Sequence, residues 1–172
     1  MTSSITDTLC TKCGLCCDGS LFADVELAGK DEATTLEVLG LEIEDADEEH
    51  RGLLLQPCRA LKGTRCGIYP HRPECCRTFE CQLLQDVQRG AVDVSRAQEK
   101  VADALSRIAH IKSLLVTLGQ RDERLPLRER CAEAQALPEE DALDPATHRS
   151  RDELEAAMTS LERFLLETFM DH

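Results

Sequence analysis

Residues 10–17, CTKCGLCC, hold four cysteines in eight positions, a density that packing alone does not require. Cys10, Cys13 and Cys16 follow a C-x2-C-x2-C spacing. Thiolates three residues apart on a tight turn can converge on one centre, and the same step recurs in zinc knuckles and in cysteine runs that hold cubane iron–sulfur clusters. Three thiolates leave such a centre short of a ligand. A ferredoxin-type run would place the next cysteine four positions after Cys16, but that position is Ser20, so the remaining donors must come from farther along the chain. Cys17 diverges from its neighbour Cys16. It can serve a second metal, bridge two metals or point into the core.

A second group, Cys58, Cys66, Cys75, Cys76 and Cys81, can supply what the first lacks. Cys75 and Cys76 are again adjacent and pose the same choice. Together the groups contain enough sulfur for two four-thiolate centres or one larger cluster. From Cys58 to Arg77 there are five bases (Arg59, Lys62, Arg65, Arg72, Arg77) against one acid, Glu74, in a chain whose net charge is −13. Nearby guanidinium and backbone N–H groups stabilise the negative charge of a thiolate centre. His71 lies between Pro70 and Arg72 and reads as a turn residue, while His50, His110, His148 and His172 are scattered without ligand spacing. Cys131 falls in an apolar helical stripe and reads as a small core residue.

The elements that must position these thiols are short. LFADVEL reads as a strand, KDEATTLEVLG as a helix with Asp31 as cap and Gly40 as stop, and the acidic LEIEDADEEHR as an exposed strand end and loop. GLLLQPCRALKGTRCGIY suggests two extended runs about a turn at Lys62, Gly63 and Thr64, which would draw Cys58 towards Cys66. The prolines of PHRPECC place Cys75 and Cys76 on a tight turn. A short helix is expected over residues 80–89, ending at Gly90.

Beyond Gly90 the apolar period becomes helical. Ala97, Val101, Ala104, Leu105, Ile108, Ile111, Leu115 and Leu118 form one stripe of a helix over 95–118, with Ser95 and Gln98 as a capping box. Its length would be roughly 36 Å. PLRERCAEAQAL predicts a short helix with Pro126 at its start and Leu127, Cys131 and Ala134 on one face. The last helix, 149–170, carries Leu154, Met158, Leu161, Leu165 and Phe169. An antiparallel hairpin of the two long helices with the short one across it buries all three stripes, and a helix exchange in a homodimer does so equally well.

Composition narrows the function classes. The chain has 172 residues, no Trp, one Tyr and four Phe, so aliphatic side chains must carry the core, and a metal staple would help them. With acids outnumbering bases 33 to 20, a nucleic-acid surface is not expected. The start, MTSSITDTL, lacks a basic n-region and an apolar h-region, and no stretch is apolar enough for a membrane span, so no membrane association and a cytoplasmic location are expected. In that reducing compartment clustered cysteines are metal ligands or redox groups more often than disulfides.

CTKCGLCC followed by C…CGIYPHRPECCRTFEC resembles the YkgJ-type family of zinc- or iron-chelating domains, known by its CxxCxxCC pattern. The second half of that pattern reads roughly C…C-x-I-Y-x-x-R-P-x-x-C-R-x-F-x-C. It lands here on Cys10, Cys13, Cys16, Cys17, Cys58, Cys66, Ile68, Tyr69, Arg72, Pro73, Cys76, Arg77, Phe79 and Cys81, so the resemblance covers roughly residues 10–81 and leaves out the helices after residue 90. It implies eight metal-binding cysteines, Cys10, Cys13, Cys16, Cys17, Cys58, Cys66, Cys76 and Cys81, with Cys75 in a variable position. A related group, the flagellin lysine N-methylases, implies an iron–sulfur cluster in such a unit. The chain shows no Gly-rich loop after a strand and no separate catalytic domain to carry methyl transfer.

The expected fold is mainly α, with a small irregular α+β cysteine-rich unit over residues 1–90 and a helical appendage over 91–172. The expected function is metal binding, as an iron–sulfur cluster with a redox, sensing or catalytic role, or as a zinc-stapled module whose helical half binds a protein partner.

Overall fold

A computed structural model describes residues 5–45, 52–136 and 144–170. The fold is mainly α with a small α+β part, and it divides into two compact units, Met1–Glu80 and Cys81–His172. Residues 46–51 of the expected acidic loop lie outside the described residues.

The first unit begins with α1 (Ile5–Cys13). Three short strands follow, β1 (Asp24–Glu26), β2 (Ile43–Asp45) and β3 (Gly52–Leu55), with α2 (Lys30–Val38) between the first two. They form an antiparallel sheet in the order β1-β3-β2, in which Leu54 pairs with Val25 on one side and Ile43 on the other. β3 alternates buried and half-buried residues, as a strand with one face on the core must. Gly52 is required at its start, since an added Cβ would stand 2.5 Å from the Ile43 side chain. Leu27, Leu36, Leu41, Leu54 and Ala60 form a small core cluster against the sheet, and Leu9 and Leu15 are buried as well. β4 (Leu61–Lys62) and β5 (Arg65–Cys66) form a two-residue hairpin, closed by Gly63 at φ 62°. After one 3-10 turn at Tyr69–His71, α3 (Glu74–Thr78) completes the unit.

Two expectations change here. Cys10 and Cys13 sit on a helix, one turn apart, and the tight turn starts only at Gly14, whose φ of 75° ends α1. Cys75 and Cys76 also lie on a helix, α3, because Pro73 is its N-cap and breaks the chain before it rather than within it. α2 starts at Lys30 with Gly29 as N-cap, and Asp31 lies in its first turn; Gly40, at φ 84°, follows its end as expected.

The second unit consists of α4 (Gln82–Gln88), α5 (Val94–Thr117), α6 (Leu127–Gln135) and α7 (Pro145–Phe169). α5 and α7 pack as an antiparallel hairpin: the Arg107 Nη1–H donates to Ser160 Oγ at 2.9 Å, and His110 lies 3.2 Å from Glu153. The predicted stripes are the core, with Ala97, Ala104, Ile111, Leu115, Leu154 and Leu161 entirely buried. Leu105 and Met158 are only half-buried. On α6, Leu127, Cys131 and Ala134 are buried together, and burial raises the Cys131 thiol to about 11. No helix among the described residues is long and apolar enough to cross a membrane.

The helix starts differ from the expected ones. α5 has no Ser95–Gln98 capping box; Asp93 is its N-cap, accepting the Arg96 N–H at 2.8 Å. α7 begins four residues earlier than expected, because Asp144 caps it by accepting from Ala146 and Thr147, and Pro145 fits the first turn, where its missing N–H is no loss. Asp93→Ala is expected to lower the unfolding free energy of the helical unit by about 1 kcal/mol, measurable by urea denaturation followed by helical circular dichroism. Asp93→Asn should restore most of it.

Candidate metal centre

Four ties fold the first cysteine group onto the second. The Cys58 N–H donates to the Cys17 carbonyl at 2.8 Å, and the Gln56 N–H to the Ala23 carbonyl at 2.9 Å. The Thr64 hydroxyl, at the tip of the β4–β5 hairpin, donates to the Thr11 carbonyl on α1 at 2.8 Å. Gly14 is needed at that contact, since a Cβ there would meet Thr64 Cα at 3.3 Å. Finally the Phe22 and Phe79 rings meet edge to face, their centroids 5.2 Å apart, a geometry that suits their quadrupoles. α3 is held from its other end by Glu32 on α2, whose carboxylate accepts the Glu74 N–H at 2.8 Å and the Ala28 N–H at 2.9 Å.

This places Cys17 within electrostatic reach of Cys58, Cys66 and Cys76, and Cys58 within reach of Cys66 and Cys76. Burial pushes the Cys17 thiol up to about 12, and Cys58, Cys66 and Asp18 push the same way; Arg72 opposes them. The Cys58 thiol is raised by burial first and by Cys66 next, against backbone N–H groups that lower it. Cys75 and Cys76 have their sulfurs 4.0 Å apart on α3. Their contact raises Cys76, which burial and the charges of Cys17 and Cys58 raise further, and lowers Cys75. Burial and mutual repulsion thus disfavour several thiolates here, and a nearby cation such as a bound metal ion would offset both.

The eight expected ligands are distributed unevenly. Cys10 and Cys13 lie on α1, which packs beside β5 and its Cys66. Cys16 and Cys17 form the turn after α1, where Gly14 accepts from the Cys17 and Asp18 N–H groups. Cys81 is the N-cap of α4 and opens the second unit. All eight are partly exposed thiols, none in a disulfide, and Cys131 alone of the ten cysteines is buried. Cys75 packs, like Cys58 and Cys66, against the leucine cluster of the sheet. Among the described residues no three Cys, His, Asp or Glu side chains stand ready-made at metal-ligand spacing.

The donor set nevertheless fits a thiophilic metal in kind, being sulfur-rich and half-buried. Three buried polar atoms of this unit also lack a partner among the described residues: Ser20 Oγ, Gln56 Oε1 and Arg72 Nε. Ser20 and Gln56 flank the Cys17–Cys58 tie, and Arg72 reaches the Cys76 carbonyl. The five bases noted in the sequence do not act alike. Arg59 pairs with Glu42; Lys62, Arg65 and Arg77 are exposed, and only Arg72 is half-buried. His71 is exposed on the 3-10 turn.

The sequence carried no sign of the Glu32 bridge or of the Thr64–Thr11 tie, because both join residues far apart in the chain through single side chains. No curated protein and no solved structure matches the chain significantly. A family model does match, and it reaches farther than the cysteine pattern alone, taking in α4 and the first turns of α5. Over residues 9–103, more than half of its length, the chain matches and belongs to the CxxCxxCC family, described as "Putative zinc- or iron-chelating domain".

Proposed function

We propose that the chain binds metal through Cys10, Cys13, Cys16, Cys17, Cys58, Cys66, Cys76 and Cys81, and that the metal is iron in an iron–sulfur cluster. Cys81 is included for its place in the sequence pattern alone. The observation that carries the reading is the backbone tie between Cys17 and Cys58, which joins the two cysteine groups of a chain in a metal-chelating family. Vicinal cysteines and a surplus of thiols suit a cluster better than one tetrahedral zinc. When bound, a cluster supplies one-electron chemistry, which makes a redox, sensing or catalytic role in the cytoplasm the natural use. Residues 1–90 then act as the metal domain and 91–172 as its helical appendage.

A second reading is a zinc-stapled module whose helical half binds a protein partner or a second copy of the chain. It is favoured by the small core of the cysteine unit, whose buried Leu and Ala residues are Leu9, Leu15, Leu27, Leu36, Leu41, Leu54 and Ala60, with no buried aromatic ring among its described residues, which is the kind of core a structural metal supports.

The deciding experiment is iron, zinc and acid-labile sulfide per chain on protein purified without oxygen. Iron and sulfide in near-equal amounts, with little zinc, is the expected result. Zinc without sulfide would replace the cluster by the staple, and neither metal after anaerobic reconstitution would end both readings.

A further inference from the structure

Arg72 differs from the other bases of its unit in where its polar edge goes. Its guanidinium carbon lies 3.8 Å from the centroid of the Tyr69 ring, a stacking that fixes the plane of the group. Its Nη1–H donates to the Cys76 carbonyl at 3.3 Å. Its Nε is buried and has no acceptor among the described residues, a costly state for a charged donor. The group is thus held on two sides, with its buried Nε–H left without an acceptor among the described residues.

The acceptor it lacks has a natural identity. Arg72 lies within electrostatic reach of Cys17, and the hydrogen bond it does make is to the backbone of Cys76, the next cysteine of the group. Resting on the metal-binding reading above, we infer that Arg72 is a positioning residue of the metal centre, whose Nε–H hydrogen-bonds a metal-bound thiolate sulfur, that of Cys17, while Tyr69 and the Cys76 carbonyl hold the guanidinium in place. The hydrogen bond neutralises part of the thiolate charge and fixes the direction of the sulfur lone pair, as outer-shell donors do at metal sites. Lysine does not replace it, because it keeps the charge but has a methylene where arginine has Nε.

Cobalt(II) is a suitable probe, since its bonds to thiolate sulfur give charge-transfer absorption. The full chain, reduced and metal-free, is titrated with cobalt(II) as wild type, Arg72→Gln, Arg72→Lys and, as an exposed base on β5, Arg65→Gln; circular dichroism checks each fold. Arg72→Gln is expected to bind cobalt about 10- to 100-fold more weakly, and its charge-transfer band should move to longer wavelength as the sulfur becomes a better electron donor. Arg72→Lys should recover part of the affinity but keep the shifted band, and Arg65→Gln should match the wild type in both.

An unshifted band in Arg72→Gln overturns the inference, and so does a loss in Arg65→Gln as large as in Arg72→Gln, which would mean diffuse charge rather than a bond. If Arg72→Gln fails to fold, Arg72→Lys decides, because an unshifted band in that variant removes the Nε–H from the site. A wild-type chain that binds no cobalt overturns the inference, whereas the metal reading itself stands or falls on iron, zinc and sulfide per chain.

Discussion

Cys17→Ser is expected to lower the metal carried per chain by at least about tenfold, since loss even of an outer-shell partner costs that much at metal sites. Cys131→Ala and Cys75→Ser are expected to leave it unchanged. The structure makes the first of these a clean test. What ties Cys17 to Cys58 is the Cys17 carbonyl, which accepts the Cys58 N–H at 2.8 Å, and a serine retains that carbonyl. The fold of the turn therefore survives while the donor atom changes from sulfur to a hydroxyl that does not ionise near neutral pH. Cys131 controls for loss of a buried thiol as such: it packs on α6 in the helical unit beside Leu127 and Ala134. Cys75 controls for position, as its sulfur lies 4.0 Å from that of Cys76 on the same helix. Elemental analysis of the four proteins, purified side by side without oxygen, gives the comparison. Full metal in Cys17→Ser, or equal loss in Cys131→Ala, would sink the ligand assignment.

The helical half was the more legible part of the sequence. Its stripes repeat at 3.6 residues for six or more turns, and a period sustained that long has one physical solution, a helix with that face buried. Only the ends of α5 and α7 differ from expectation, because the caps are single aspartates, Asp93 and Asp144, whose choice over neighbours such as Ser95 depends on local backbone geometry. The cysteine half was legible in chemistry and poorly so in shape. The spacing of the thiols announced a metal site, but Cys10 and Cys13 lie on a nine-residue helix of weak amphipathic character. The central place of β3 between β1 and β2 rests on pairings of Leu54 with Val25 and Ile43, and no local pattern encodes such long-range register. The basic stretch from Arg59 to Arg77 was visible as a sum of charges. Its division into one half-buried arginine and four exposed bases required the fold.

Metal removal should therefore act on one half of the molecule. A chelator added to the reduced protein is expected to strip the amides of β3 and its neighbours of hydrogen-exchange protection by on the order of 100-fold or more, while α5 and α7 keep theirs. The cysteine unit relies on a few buried leucines and one alanine, with the sheet resting on a cluster of five of them, and on strands of two to four residues, too short to be stable alone. Thiolate coordination of a structural metal contributes about 10–16 kcal/mol, as much as the whole stability of an ordinary domain. The helical unit has its own aliphatic core, with Ile111, Leu115, Leu154 and Leu161 fully covered, and α5 and α7, which supply those residues, carry none of the proposed ligands. Exchange followed by mass spectrometry, peptide by peptide, reads the two units separately. Undiminished protection over residues 52–55 after complete metal loss would mean that the sheet stands without the centre, leaving the metal to chemistry alone; loss spread evenly through both units would mean that they fold as one.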